Sequence, residues 1–235
     1  MIIIAHRGGN RVFPENSAAA IHNAFESGVD IVEIDVRLSK DGVPVVMHDE
    51  NLMRLFSLDQ EVRETSAEKL TSLTYGGPKE VHPATFESVL HHCPKWPLIL
   101  HVREKNEGIL PIWKVVEKYG WSSKVVWGIV SLDAVQLLKK RNPAVSILAF
   151  IPSPEDIAPF ASAGVNVIRL WDSWITKERT DLIHSYGILA AAMTGNRGED
   201  VGETSPERLL ELRDLGMDWV LVNDVQLALR TFKFA

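Results

Sequence analysis

Short runs rich in Val, Ile and Leu alternate along this chain with longer stretches in which apolar residues recur at helical spacing. "MIIIAH", "DIVEIDV", "PLILHV", "SKVVWGI", "VSILAFI", "NVIRLW", "ILAAAMT" and "DWVLVND" read as eight strands. Helices are predicted over 16–27, 85–93, 107–119, 132–141, 154–162, 177–186, 205–215 and 225–232. Gly28, Gly120, Gly164, Gly187 and Gly216 fall just past five of them, where a helix commonly ends in a left-handed residue. Strands that each lead into a helix imply a parallel sheet covered on both faces. Eight such units predict an α/β fold closed as a (β/α)8 TIM barrel. An open doubly wound sheet is the rival arrangement.

One stretch breaks the rhythm. Residues 38 to about 82 are too many for an ordinary strand-to-helix connection. Within them, "VPVVMHD" reads as a short extra strand and "TSAEKLTSL" as a short capped helix. The expectation is a single barrel domain over 1–235, with a small subdomain inserted after the second strand.

Composition narrows the function more than the fold. The chain has 235 residues, 46% of them hydrophobic, and a formal net charge of -6. An acidic balance argues against nucleic acid as a partner. No apolar run reaches the length of a membrane span, and "MIII" is too short for the core of a signal peptide. Cys93 is the sole cysteine, so no internal disulfide can form. These features predict a cytoplasmic protein with no integral membrane association.

The chemistry lies where strand alternation puts charge on one face. In "DIVEIDV", Glu33 and Asp35 share a face while Val32, Ile34 and Val36 take the other. The apolar face must meet the helices, so the carboxylates point into the barrel. Buried side by side they repel, and neutralising them is expected to cost no stability unless a cation joins them. His101 and Arg103 repeat the pattern on the next strand, opposite Leu100 and Val102. Glu33, Asp35 and His101 form a candidate triad for a divalent metal. His6 and Arg7 end the first strand, and His48 ends the extra one. Glu15 and Asn16 begin the first helix, where a cap and a charge matched to the helix dipole would suffice to explain them. His22, His82, His91, His92 and His184 sit at no strand's C-terminal end and suggest no chemistry. "MTGNRGED" lies where barrels often bind phosphate, but as a motif it is weak.

"AHRGG", "PENS", "VEIDVRLSKDGVPVVMHDENLMR", "LTSL" and "HPATFESVL" closely resemble the glycerophosphodiester phosphodiesterase family. The resemblance is dense over 3–54 and thins toward the C-terminus. It implies a barrel enzyme that hydrolyses glycerophosphodiesters to sn-glycerol 3-phosphate and an alcohol with one divalent ion. By matched position it implies His6 and His48 as the acid–base pair, Arg7 as a phosphate ligand, Glu33 and Asp35 as metal ligands and Glu15 as support. Arg103 is the matching candidate for a second phosphate clamp. The partner implied is a small-molecule phosphodiester.

Two positions depart from the family pattern. Its third strand usually reads Ile-Glu-Ile-Lys, where this chain has Leu100-His101-Val102-Arg103. A late Trp-Thr pair is here Met193-Thr194. Imidazole in place of a carboxylate shifts the expected ion from magnesium or calcium toward manganese, cobalt or zinc. A lyase that forms a cyclic phosphate, and a barrel that binds phosphoesters without turnover, are the alternatives.

Overall fold

A computed structural model describes residues 1–76, 80–93, 96–195 and 197–233. Its strands are β1 (Ile2–Ala5), β2 (Ile31–Leu38), β3 (Pro44–Val46), β4 (Leu98–Val102), β5 (Val125–Ile129), β6 (Ser146–Phe150), β7 (Val167–Trp171), β8 (Leu189–Met193) and β9 (Trp219–Val222). The helices are α1 (Ala18–Glu26), α2 (Met53–Phe56), α3 (Ala67–Ser72), α4 (Phe86–His92) and α5 (Ile109–Lys118). They continue with α6 (Leu132–Arg141), α7 (Ile157–Ser162), α8 (Lys177–Ser185), α9 (Pro206–Asp214) and α10 (Val225–Lys233). Side chains of Ser17, Ser66, Thr85, Ser131, Thr176 and Ser205 cap six of these helices by accepting a backbone N–H from the first turn. All five glycines expected past helix ends have positive φ.

The sheet runs β1-β9-β8-β7-β6-β5-β4-β2, and β1 pairs with β2 to close it. All eight of these strands are parallel, and closure excludes the open sheet. β3 is antiparallel to β2 and lies outside the ring.

Alternation along the strands divides the apolar residues into separate cores. Val32, Ile34, Val36, Leu100 and Val102 belong to the large core between barrel and helices. Ile4, Ile31, Ile99, Leu148, Phe150, Val167, Ala191, Met193 and Leu221 fill the barrel interior. A third and much smaller core, Val45, Met47, Leu52, Val62, Ala67 and Leu70, lies within the segment between β2 and α4. The polar residues on the inward face, expected from the two-residue period, sit above the interior plug at the C-terminal end of the barrel. Asn196 in the "MTGNRGED" loop and residues 77–79 of the 38–82 segment lie outside the described residues. Among the described residues no helix is long and apolar enough to cross a membrane.

Candidate active site

The first strand ends at Ala5, and His6–Gly8 form a 3-10 turn in which Arg7 takes left-handed angles (φ 52°, ψ 31°). A side chain held in that region costs of order 1–3 kcal/mol and persists only where its surroundings enforce it. Here they do. The Arg7 amide donates to Glu33 Oε2 at 2.9 Å, and its Nη1 lies 3.0 Å from Glu15 Oε1. Asn16, also left-handed, donates its amide to the Arg7 carbonyl at 2.8 Å.

Asn16 is therefore not the helix cap that its position suggested. Ser17 caps α1 instead. The Asn16 carboxamide clasps β2, donating to Asp35 Oδ2 at 3.0 Å and accepting the Asp35 amide at 2.9 Å. Glu15 likewise does more than complement a dipole. It is buried, and it takes a two-pronged bond from Arg54 of α2, at 2.6 and 3.0 Å, besides the one from Arg7. Burial would raise its pKa, but Arg54 and Arg7 carry it below the ordinary carboxylate value.

Glu33 and Asp35 point inward and are both almost completely buried. Arg103 Nε donates to Asp35 Oδ1 at 2.8 Å, and Arg7 Nε lies 3.7 Å from Oδ2. Burial would raise the Asp35 pKa. The bond from His101 and the charges of Arg103 and His101 hold it well below its usual value. The protein itself thus supplies the cations that the buried pair was expected to need, at least for this carboxylate.

His101 lies flat against Phe150, ring centroids 3.9 Å apart and planes 4° from parallel. Gly128, its neighbour on β5, makes room: a Cβ there would run into the Phe150 ring. His101 Nδ1 is 3.2 Å from Asp35 Oδ1 and 3.6 Å from Glu33 Oε1, while Nε2 is buried without a partner. Ligand atoms of Glu33, Asp35 and His101 all lie within 4.8 Å of one another. Two carboxylates and an imidazole with an orphaned nitrogen are a donor set that fits one divalent ion.

The two histidines outside this triad have unlike partners. His6 Nδ1 is 2.8 Å from Oδ1 of Asn223, just past β9. The Asn223 nitrogen donates to Val201 O and Glu203 Oε1, both at 2.9 Å, so its oxygen faces the ring. His6 consequently carries its proton on Nδ1 and leaves Nε2 with a free lone pair. His48 Nδ1 instead donates to a carboxylate, Asp49 Oδ1, at 2.6 Å, and Asp49 is held by Arg54 Nε at 2.6 Å. Burial lowers the pKa of both histidines, opposed by Glu33 at His6 and by Asp35 at His48.

Gly202 has φ +90°, and a Cβ there would overlap the Asn223 carboxamide. Gly202→Ala should cost about 1–3 kcal/mol of stability from backbone strain and displace Asn223 from His6. Turnover should fall in step with that of Asn223→Ala. Wild-type kcat in a folded Gly202→Ala protein would show that the Asn223–His6 bond has no part in turnover.

His6, Arg7, Glu33, His48, His101 and Arg103 line one cavity of about 250 Å³, walled further by Phe150, Arg169, Trp171 and Met193. All eight candidate residues named from the sequence meet at this end of the barrel, with Glu15 and Asp35 just behind the lining. Sequence reasoning passed over Asn16's bond to Asp35, Arg54, Asn223 and Arg169. Of these, Arg169 carried a signal: it is flanked by inward-silent Ile168 and Leu170, the same alternation that exposed Glu33 and His101.

The model of the Glycerophosphoryl diester phosphodiesterase family matches residues 6–227. The chain is 28% identical over 153 residues to the mouse lysophospholipase D GDPD3, covering 60% of this chain and 46% of that protein. It is 29% identical over 158 residues to a glycerophosphodiester phosphodiesterase of Caldanaerobacter subterraneus, covering 62% of this chain and 65% of the relative. The chain therefore spans about half to two thirds of the length of these relatives. Among solved structures, an Oleispira antarctica phosphodiesterase in complex with the product sn-glycerol-3-phosphate superposes with a TM-score of 0.85. It is 23% identical, covering 99% of this chain and 97% of that one.

Proposed function

The chain belongs to the glycerophosphoryl diester phosphodiesterase family, whose members are phosphoric diester hydrolases, and from that premise we propose that it hydrolyses glycerophosphodiesters to sn-glycerol 3-phosphate and an alcohol. The observation that carries this reading is the pair of oppositely partnered histidines, His6 on an amide oxygen and His48 on a carboxylate, lining one cavity.

A phosphodiester is anionic and repels nucleophiles, so the site must first gather positive charge around it. His6, neutral and with Nε2 unprotonated, takes a proton from water as the water oxygen bonds to phosphorus. The bond from phosphorus to the alcohol oxygen breaks, and that oxygen receives a proton from His48, whose imidazolium the Asp49 carboxylate stabilises. Solvent exchange then returns the two rings to their starting protonation states. Arg7 and Arg103 hold the carboxylates in place at the rim of the cavity, and Glu15 fixes Arg7 and Arg54 together.

Glu33, Asp35 and His101 would hold one divalent ion, which when bound supplies Lewis-acid charge next to the phosphoryl group. The loss of one carboxylate from an all-oxygen set favours manganese, cobalt or zinc over magnesium or calcium. The test is an assay of glycerophosphodiesters of several alcohols with each of these five ions. Release of sn-glycerol 3-phosphate is expected, fastest with a transition ion, and His101→Glu should move the preference toward magnesium or calcium. A cyclic phosphate product would make the protein a lyase, absence of turnover with every ion would reject the reading, and an unchanged ion profile in His101→Glu would remove His101 from the metal site.

A further inference from the structure

Arg169 stands on β7, and β7 is four strands from β2 in either direction around the eight-stranded ring. It therefore faces Glu33 and Asp35 from directly across the barrel. The side chain is 5% exposed and lines the cavity. Its guanidinium lies over the Trp171 ring, 4.0 Å from the centroid, and 5.1 Å from that of Phe150. Nε and Nη1 are buried with no hydrogen-bond partner. No carboxylate of the described residues is ion-paired with it.

The other two arginines of the cavity differ in being ion-paired, although Arg7 Nε, 3.7 Å from Asp35 Oδ2, likewise makes no hydrogen bond. Arg7 is paired with Glu15, and Arg103 with Asp35. Their charges are largely neutralised before any ligand arrives. Burying an unpaired guanidinium is costly, because the group leaves water and gains nothing comparable. Burial pushes its pKa down to about 9, so it stays protonated at neutral pH. The aromatic faces of Trp171 and Phe150 offset part of that cost and fix the guanidinium plane. They leave its in-plane N–H groups unspent, and those match two oxygens of a phosphoryl group.

We propose that Arg169 is the residue that binds the non-bridging phosphoryl oxygens of the substrate, from the wall opposite the carboxylates. The proposal rests on the reading above that the cavity takes a phosphodiester. It assigns to this residue the charge neutralisation that sequence matching gave to Arg7 and Arg103. The phosphoryl group then lies between a wall that attracts cations and a wall that presents one, with His6 and His48 alongside.

Calorimetric titration of chelator-treated protein with inorganic phosphate tests this apart from turnover. Arg169→Gln should weaken phosphate binding at least tenfold, and Arg169→Lys, a point charge without the planar fork, by less. Thermal stability of Arg169→Gln without ligand should equal or exceed wild type, since an unpaired buried charge has been removed. A structural arginine would show the reverse. On a glycerophosphodiester, KM should rise more than kcat falls. Equal phosphate affinity in Arg169→Gln and wild type would overturn the proposal. So would wild type that binds no phosphate, or an Arg169→Gln that fails to fold beside an Arg169→Lys that binds phosphate as wild type does. A wild type that hydrolyses no diester, yet loses phosphate binding on Arg169→Gln, would sink the phosphodiesterase reading and leave the anion subsite standing.

Discussion

His48→Ala should turn over an alkyl glycerophosphodiester at no more than about one hundredth of the wild-type rate, the usual scale for loss of a general acid. The same variant should lose far less on an aryl diester whose phenolate leaves without help. An alkoxide is too basic to depart unprotonated, and in the proposed mechanism His48 supplies the proton, with Asp49 at 2.6 Å and Asp35 opposing the burial that lowers its pKa. His6→Ala should lose activity about equally on both substrates, because attack by water is common to them. Rates of purified variants on a matched pair of substrates decide the matter. Parallel losses for His48→Ala would remove it as the acid, and near-normal rates in either variant would remove that histidine from the mechanism.

Asp35→Asn should destabilise the metal-free protein by about 3 kcal/mol, at the low end for breaking a buried ion pair because Arg103 is partly exposed. Asp35 is fully buried and serves as acceptor for Arg103 and Asn16, with His101 and Arg7 close by. Its amide replacement keeps the shape and loses the charge that those groups surround. The pH dependence has a definite sign. A carboxyl whose pKa is depressed on folding adds stability above its ordinary value of 3.8, and that stability is lost as pH falls through the folded value. Denaturant midpoints measured from neutral pH down through pH 3.8 and below, with chelator present, should therefore show the gap between mutant and wild type narrowing as the pH falls. An Asp35→Asn protein as stable as wild type at pH 7 would mean that its cations do not compensate its burial, as the bare sequence suggested.

That contrast shows what the sequence could and could not convey. The two-residue period placed Glu33, Asp35, His101 and Arg103 on the inner wall, since the opposite residues had to meet helices. It could not say which partners would reach Asp35, because Asn16, Arg7 and Arg103 arrive from three other segments. The same rule, carried to "NVIRLW", exposes Arg169, whose neighbours Ile168 and Leu170 belong to the outer core. Asn223 and His6 are 217 residues apart and meet only because β9 pairs with β1. Arg54 was out of reach for a different reason: α2 belongs to a stretch with no barrel periodicity, so nothing local told where its side chains would point. Asn16 was misread because two good capping residues stand side by side, and the backbone chose Ser17.

The two histidines outside the triad, His6 and His48, are anchored in different cores. His6 extends from a strand of the closed ring, whereas His48 hangs from the six-residue core between β2 and α4, tied to the barrel by Arg37, Asp49 and Arg54. A core that small opens at a lower free energy than the barrel beside it. On warming, the geometry between the two histidines should be lost first, while the ring of strands is still intact. Heat inactivation should then precede heat denaturation, the first reversing on cooling and the second setting in at a higher temperature.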